Sequence, residues 1–456
     1  MARTSTQQSN EDLPRTTPDF DAMIGIVKYN SVGFFFTDFV IPFTGISIGS
    51  TGLELGFLYS FLVLGSVLSA LFIGYLTDHV RKKTTLILIG AIGRGASYIV
   101  MFIGTITEDM SIMMLGTFIL GFVVEFFWNP FDSLVSAKSN KNNRSFAFGK
   151  RNAAIGKGQL AGGLFGVVVF ILANVFVPGN AVLAFSPMIV YCACNVTGGI
   201  LFTRRIDEHL TYYQYIASID KNITQVVNGD KDHHAIDTPR DYNEPGSKVG
   251  LQRGFVIGFV MLIIAYFLSS INGSIGKPFL QLFMRKVIID NPVLVLAAYA
   301  PAGILAQFIS PRLGNYADRM RPQVGIIIFA SLGALITLIE INIPILIVFS
   351  LMLVADNMFA NASSLVMSNV FSRISIKSRG KVLGVASAFN NGGAFFGPII
   401  GGMLIDSFNP AMPFFVSVFV ELALIPFYLL ALNRLRPYYA EMALLDDTAV
   451  IDRDNK

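Results

Sequence analysis

Apolar runs of twenty or more residues recur along the chain, parted by short polar, glycine- or proline-marked breaks. A helix that crosses about 30 Å of hydrocarbon at about 1.5 Å per residue needs about 20 apolar residues. On that measure spans fall at 24–48, 53–76, 84–106, 111–136, 153–177 and 181–203. Six more follow at 254–280, 292–314, 324–343, 344–367, 382–406 and 412–433, the ninth and tenth separated only by Glu340 to Pro344. One long polar stretch, 204–253, divides the twelve six and six; Pro239, Pro245 and Gly246 mark it as a linker, with a short amphipathic helix near 207–226. The pattern predicts an all-α integral membrane protein of twelve transmembrane helices in two six-helix bundles, 23–203 and 254–436, with tails at 1–22 and 437–456.

Composition agrees. The 456 residues are 53% hydrophobic and only 14% charged, and the mean hydropathy is +0.60. A soluble chain carries about 25% charged residues to cover its surface, so a soluble enzyme, a nucleic-acid-binding domain and a disordered regulator are excluded. Of 34 Lys and Arg, all but Arg94, Lys277, Arg285 and Lys286 fall on one side when the N-terminus is placed inside. This bias is the positive-inside rule; it predicts cytoplasmic termini in a multi-pass cell-membrane protein and accounts for the net charge of +4 without nucleic acid. Residues 1–22 lack the apolar stretch and cleavage site of a signal peptide. Cys192 and Cys194, inside an apolar run, read as small core hydrophobes.

The two halves repeat one another. Gly74-Tyr-Leu-Thr-Asp78 after the second span recurs as Gly314-Asn-Tyr-Ala-Asp318 after the eighth. Glu125 stands to Ser133-Leu134-Val135 as Asp356 stands to Ser364-Leu365-Val366. Arg144-x4-Gly149-x8-Gly158-x3-Gly162 matches Arg379-x4-Gly384-x8-Gly393-x3-Gly397, and Pro42 pairs with Pro278.

Twelve spans in two repeats with these motifs resemble the major facilitator superfamily of secondary transporters over residues 20–436. The loop Gly74-Tyr-Leu-Thr-Asp78-His-Val-Arg81-Lys82-Lys83 is similar to that family's signature G-x-x-x-D-R-x-G-R-R, departing at His79 and Arg81; the second copy keeps Gly314, Asp318 and Arg319. The resemblance implies a cytoplasmic gate, with Asp78 accepting bonds from a helix N-terminus and latching the halves on the inner side. Gly384, Gly393, Gly397, Pro398, Gly401 and Gly402 in the eleventh span also resemble the family's antiporter pattern G-x8-G-x3-G-P-x2-G-G, whereas the fifth span has Gly163 in place of the proline. Antiport is thereby favoured over symport. As small residues, Gly158, Gly162, Gly393, Gly397 and Gly401 read as helix-packing positions.

Charges at mid-membrane depth cost about 2.5–3.5 kcal/mol each on insertion, so each asks for a reason. Asp38, Arg94, Glu125 and Asp356 fall near the middle of their spans, and the first, fourth, seventh and tenth spans line the cavity of the resembled fold. Glu125 and Asp356 are expected to face one shared cavity as proton carriers. Asp38 lies one turn before Pro42, where a broken backbone would help bind ligand. Arg94 balances charge, either serving the site or pairing permanently with Glu125. Trp128, Asn129, Asn272 and Asn357 supply a polar and aromatic wall suited to a modest organic solute, and Lys277 is expected to snorkel to the outer interface.

The four histidines have no metal-ligand spacing, and no phosphate-binding loop is present. The expectation is a monomeric, proton-coupled transporter of a small organic solute working in the lipid bilayer by alternating access, neither enzymatic nor dependent on a cofactor. Sodium coupling stays open, as do an uncoupled facilitator and a non-transporting sensor that kept the fold.

Overall fold

The structure is a computed structural model, and it describes residues 14–80, 82–140, 144–219, 253–299, 301–302, 305, 322–374 and 379–435. The first half comprises α1 (Phe20–Ser31), α2 (Phe34–Ile48), α3 (Gly52–His79), α4 (Lys83–Ile106) and α5 (Met110–Ala137). It continues through α6 (Arg144–Phe176), α7 (Ala181–Phe185) and α8 (Pro187–Arg205) to the amphipathic α9 (Tyr212–Ile219), which buries Tyr212 and Ile216. The second half opens with α10 (Arg253–Ile275), a 3-10 turn at Lys277–Phe279, α11 (Leu280–Phe283) and a π-helical turn at Met284–Ile288. A helix over 292–299, α12, is the described start of the eighth span. It is followed by α13 (Pro322–Asn342), α14 (Leu346–Ile374), α15 (Arg379–Ser407) and α16 (Met412–Leu435). Nine stretches among the described residues are long and apolar enough to cross a membrane. Among the described residues the spans are all helical, one of the two ways in which a chain in hydrocarbon can satisfy every backbone N–H and carbonyl.

The two matched prolines behave differently. Pro278 ends regular helix, since the residue before a proline resists the helical region, and the chain turns through 3-10 geometry there. Pro42, expected to break the backbone beside Asp38, instead lies inside the continuous α2. The carbonyl of Asp38, which Pro42 cannot bond, accepts from the Tyr59 hydroxyl at 3.4 Å, and that of Phe39 accepts from Gln281 Nε2 of the second half at 3.2 Å. The interruption in the first span falls at Val32–Gly33. Any side chain on Gly33 would meet the Tyr98 ring at 2.6 Å, so the break sits where the packing admits only glycine.

The halves meet along α3 and α15 at the end of the molecule away from Phe20 and Leu435, called here the distal end. The helices run antiparallel: Gly52 backs onto Gly402, Gly56 onto Pro398, and the Ser60 hydroxyl donates to the Phe395 carbonyl at 2.8 Å. Asp406 completes the seam, its two carboxylate oxygens accepting from Gly52 N at 2.7 Å and Leu53 N at 2.9 Å. Thr51 and Glu54 form a capping box on the same turn, Glu54 N donating to Thr51 Oγ1 and Thr51 N to Glu54 Oε2. The start of α3 is therefore satisfied partly from the other half, by a charge placed where the helix dipole favours it. Asp406→Ala is expected to lower the distally closed population about 5- to 30-fold, the equivalent of a lost helix cap worth about 1–2 kcal/mol. Pulsed electron spin resonance between labels at Thr107 and Ser407, with both native cysteines replaced, reads the population; an unchanged distance distribution would refute the cap.

At the opposite end a fully buried lysine ties three segments together. Lys138, at the end of α5, pairs with Asp19 at 2.7 Å and donates to the carbonyls of Asp207 at 2.6 Å and Leu210 at 3.0 Å. Glu208 accepts from the Thr84 N–H and hydroxyl, capping α4. The chain entering α1 and the chain leaving α8 are thus fastened to one bundle, so Lys138 is an internal clamp rather than a free loop charge.

Candidate functional site

Three polar groups lie within the bundle. The first surrounds Arg94, which α4 buries completely. Its Nη1 donates to the Asn30 carbonyl at 2.8 Å, and its guanidinium lies 4.7 Å from the Phe34 ring centre, 5.3 Å from Phe127 and 5.6 Å from Trp128. Aromatic faces, negative at the ring centre, hold the charge. Glu125 is its charge neighbour within electrostatic range and no direct ion pair joins them within 4 Å; the Glu125 carboxylate accepts from Asn129 Nδ2 at 3.0 Å, one turn along α5. Asp132 pairs with Arg151 at 2.8 Å, and the Arg151 guanidinium lies 4.9 Å from the Trp128 ring centre. Trp128 thus contacts both arginines.

The second group centres on Asp38 of α2. Lys277 is its opposite charge within electrostatic range, and Tyr59 and Tyr299 stand beside it. Tyr299 in turn stacks on Phe35 at 5.9 Å. Lys277 is exposed, and the 3-10 turn at Pro278 also brings it to the wall of a cavity.

That cavity, of about 620 Å³, is the third group. Its lining comes from residues 266–428, with Asp356 and Asn357 of α14, Asn272 of α10 and Asn390 of α15 among them. Asp356 lines this cavity, whereas Glu125, Asp38, Arg94, Trp128 and Asn129 are not among its lining residues. Two carboxylates that sequence reasoning gave no role also line it: Glu340 of α13, 4% exposed, and Glu421 of α16. Asp356 is the electrostatic neighbour of both. Helix α13 passes the Glu421 carboxylate at Gly333, where a side chain would meet Oε1 at 2.8 Å.

The gate motif is described only in part. Gly74 and Asp78 fall in the last turns of α3 and Lys82 precedes α4. The side chain of Asp78 lies outside the described residues, as do Arg81, Gly314, Asp318 and Arg319. The matched glycines stand in equivalent places: side chains on Gly158 and Gly162 would collide with the carbonyls of Lys28 and Val32, and on Gly393, Gly397 and Gly401 with those of Phe267, Ile271 and Ile275. Pro398 lies within α15.

This architecture has many known counterparts. The chain is 22% identical over 383 residues to the uncharacterized MFS-type transporter YuxJ of Bacillus subtilis (strain 168), covering 81% of this chain and 85% of that one. Its fold matches a bacterial homolog of the human lysosomal transporter Spinster with a TM-score of 0.67 at 15% identity, over 92% of this chain and 97% of the other. A structure of proton dependent oligopeptide transporters matches with a TM-score of 0.66 at 14% identity, over 92% and 98%. The Major Facilitator Superfamily model matches residues 29–375 and 262–442, and with helices, repeats and seam in agreement, the chain belongs to that superfamily of secondary membrane transporters.

Proposed function

We propose that the chain moves a small organic solute by alternating access and couples the movement to protons, by antiport rather than symport. The observation that carries this reading is a set of intramembrane carboxylates with no direct ion pair among the described residues: Glu125 held by Asn129, and Asp356 on the cavity wall. A permanently paired carboxylate has no reason to exchange its proton, whereas an unpaired one in a low-dielectric surround gains by taking it up. The proton-dependent character of a structural counterpart adds support by analogy of fold alone. Asp38 with Lys277 forms a second candidate handover point, and Arg94, Trp128, Asn129, Asn272 and Asn357 shape the solute path. In this reading 204–253 links two six-helix halves, the gate residues Gly74, Asp78, Arg81, Lys82, Gly314, Asp318 and Arg319 lie on the cytoplasmic side with both termini, and a monomer in the cell membrane is the working unit. The distal seam then closes the outer face.

The test is solute-evoked charge movement by purified protein in liposomes, with and without a pH step, across a broad solute panel. Gradient-driven uptake is expected to fall at least about tenfold in Glu125→Gln and in Asp356→Asn, each with the gel-filtration profile of the parent. Parental rates in both variants would remove the coupling claim.

A further inference from the structure

The cavity of the second half carries more acidic groups than neutral packing space would hold. Three carboxylates, Glu340, Asp356 and Glu421, line it against one cation, Lys277. Glu340 is 4% exposed, and its Oε1 has no hydrogen-bond partner. A buried carboxylate oxygen left unbonded costs about 1–3 kcal/mol or more, a cost a positively charged or hydrogen-bond-donating ligand would offset. The carboxylates come from α13, α14 and α16, three different helices, with Asp356 the electrostatic neighbour of the other two. Among the described residues no three His, Cys, Asp or Glu side chains are grouped closely enough to hold a metal ion. The remaining wall mixes neutral polar groups, Asn272, Asn357 and Asn390 among them, with the aromatic rings of Tyr266, Phe329, Phe359, Phe414 and Tyr428, and aromatic rings attract cations as carboxylates do. At about 620 Å³ the space is of the size that takes a small organic molecule and far larger than a single ion needs.

We infer that this cavity is a binding site for an organic cation with an apolar body, its charge received by Glu340, Asp356 and Glu421 and its hydrocarbon by the aromatic wall. The inference rests on the transport reading for its purpose, giving the transported solute a charge and a size. Lys277 is the one basic side chain among the lining residues, so an acidic ligand meets one complementary group there and a basic ligand meets three.

The experiment is equilibrium dialysis of the full chain in detergent, with no gradient, against radiolabelled tetraphenylphosphonium and against tetraphenylborate, an anion of the same shape. Wild-type protein is expected to bind the phosphonium saturably and the borate at least about tenfold more weakly. Glu340→Gln and Glu421→Gln, which keep side-chain size, are each expected to weaken phosphonium binding about tenfold or more. The wild-type comparison of cation with anion does not depend on either variant folding. No saturable phosphonium binding, equal binding of the borate, or parental affinity in both variants overturns the inference. Because no proton gradient is present, cation binding that survives in a protein showing no gradient-driven flux would refute the coupling and leave the site. Proton-driven flux of another solute, with no phosphonium binding, would do the reverse.

Discussion

Gly402→Val is expected to leave both halves folded and to hold the distal end open. The Gly402 side-chain position is filled by the Gly52 backbone of the other half, with the Leu53 Cα 2.7 Å away. No rotamer of a flexible neighbour relieves that overlap, because the obstacle is main chain. The seam must part, and with it go the carboxylate bonds from Asp406 to Gly52 and Leu53 and the Ser60 contact to Phe395. Overpacking a close contact costs about 1–3 kcal/mol or more, and the lost helix cap adds about 1–2 kcal/mol. Together they reduce the distally closed population by about a hundredfold or more. The Thr107–Ser407 label distance should lengthen by several ångströms while the gel-filtration profile stays parental. Transport, which needs both states, should be lost. A parental distance distribution would mean that the α3–α15 contact is incidental to closure.

How far the sequence alone reveals this arrangement depends on which coordinate of a helix is asked for. Depth is legible, because each residue adds about 1.5 Å: the mid-span placement of Asp38, Arg94, Glu125 and Asp356 needs only counting. Breaks written in local chemistry are legible too, as at Pro278 and between Asn342 and Leu346. Rotation about the axis is a different matter. Helices apolar all round give no direction to their polar residues, so nothing local shows that Glu340, Asp356 and Glu421 turn toward one space. Glu340 reads along the chain as a mere interruption between two spans. The interruption at Val32–Gly33 is hidden for a related reason, since the ring that leaves no room for a side chain on Gly33 belongs to Tyr98 on another helix. Arg94 and Glu125 share a depth and invite pairing, yet Asn30, Phe34 and Phe127 occupy the surroundings of the guanidinium. Repeats offer one remedy: the matched glycines supply a register between helices that no single span contains.

That register leads to the other large effect, one residue away from the first. Gly401→Val is expected to abolish folding, not to shift a conformational balance. Gly401 faces α10 of its own half, where a side chain would overlap the Ile275 carbonyl and meet the Phe279 ring at 2.6 Å. Gly402 faces the other half, which can move away as a body; Gly401 faces a helix that must stay for the second bundle to exist. Small residues let membrane helices approach until backbones touch, and dispersion at that contact replaces the hydrophobic force that lipid does not supply. The counterpart in the first half, Gly162→Val, meets the Val32 carbonyl of the α1–α2 junction and should fail in the same way. Both variants are expected to lose about 3 kcal/mol or more and to give no monodisperse peak on gel filtration of a fluorescent fusion. Gly149 is the control from the same row of matched positions: no atom lies within 4 Å of where its side chain would begin. Gly149→Ala should therefore keep its peak and gain up to about 1 kcal/mol from helix propensity. If Gly401→Val and Gly149→Ala behaved alike, the matched spacing of the two halves would report ancestry without packing, and the contact between α10 and α15 would not be what holds the second bundle together.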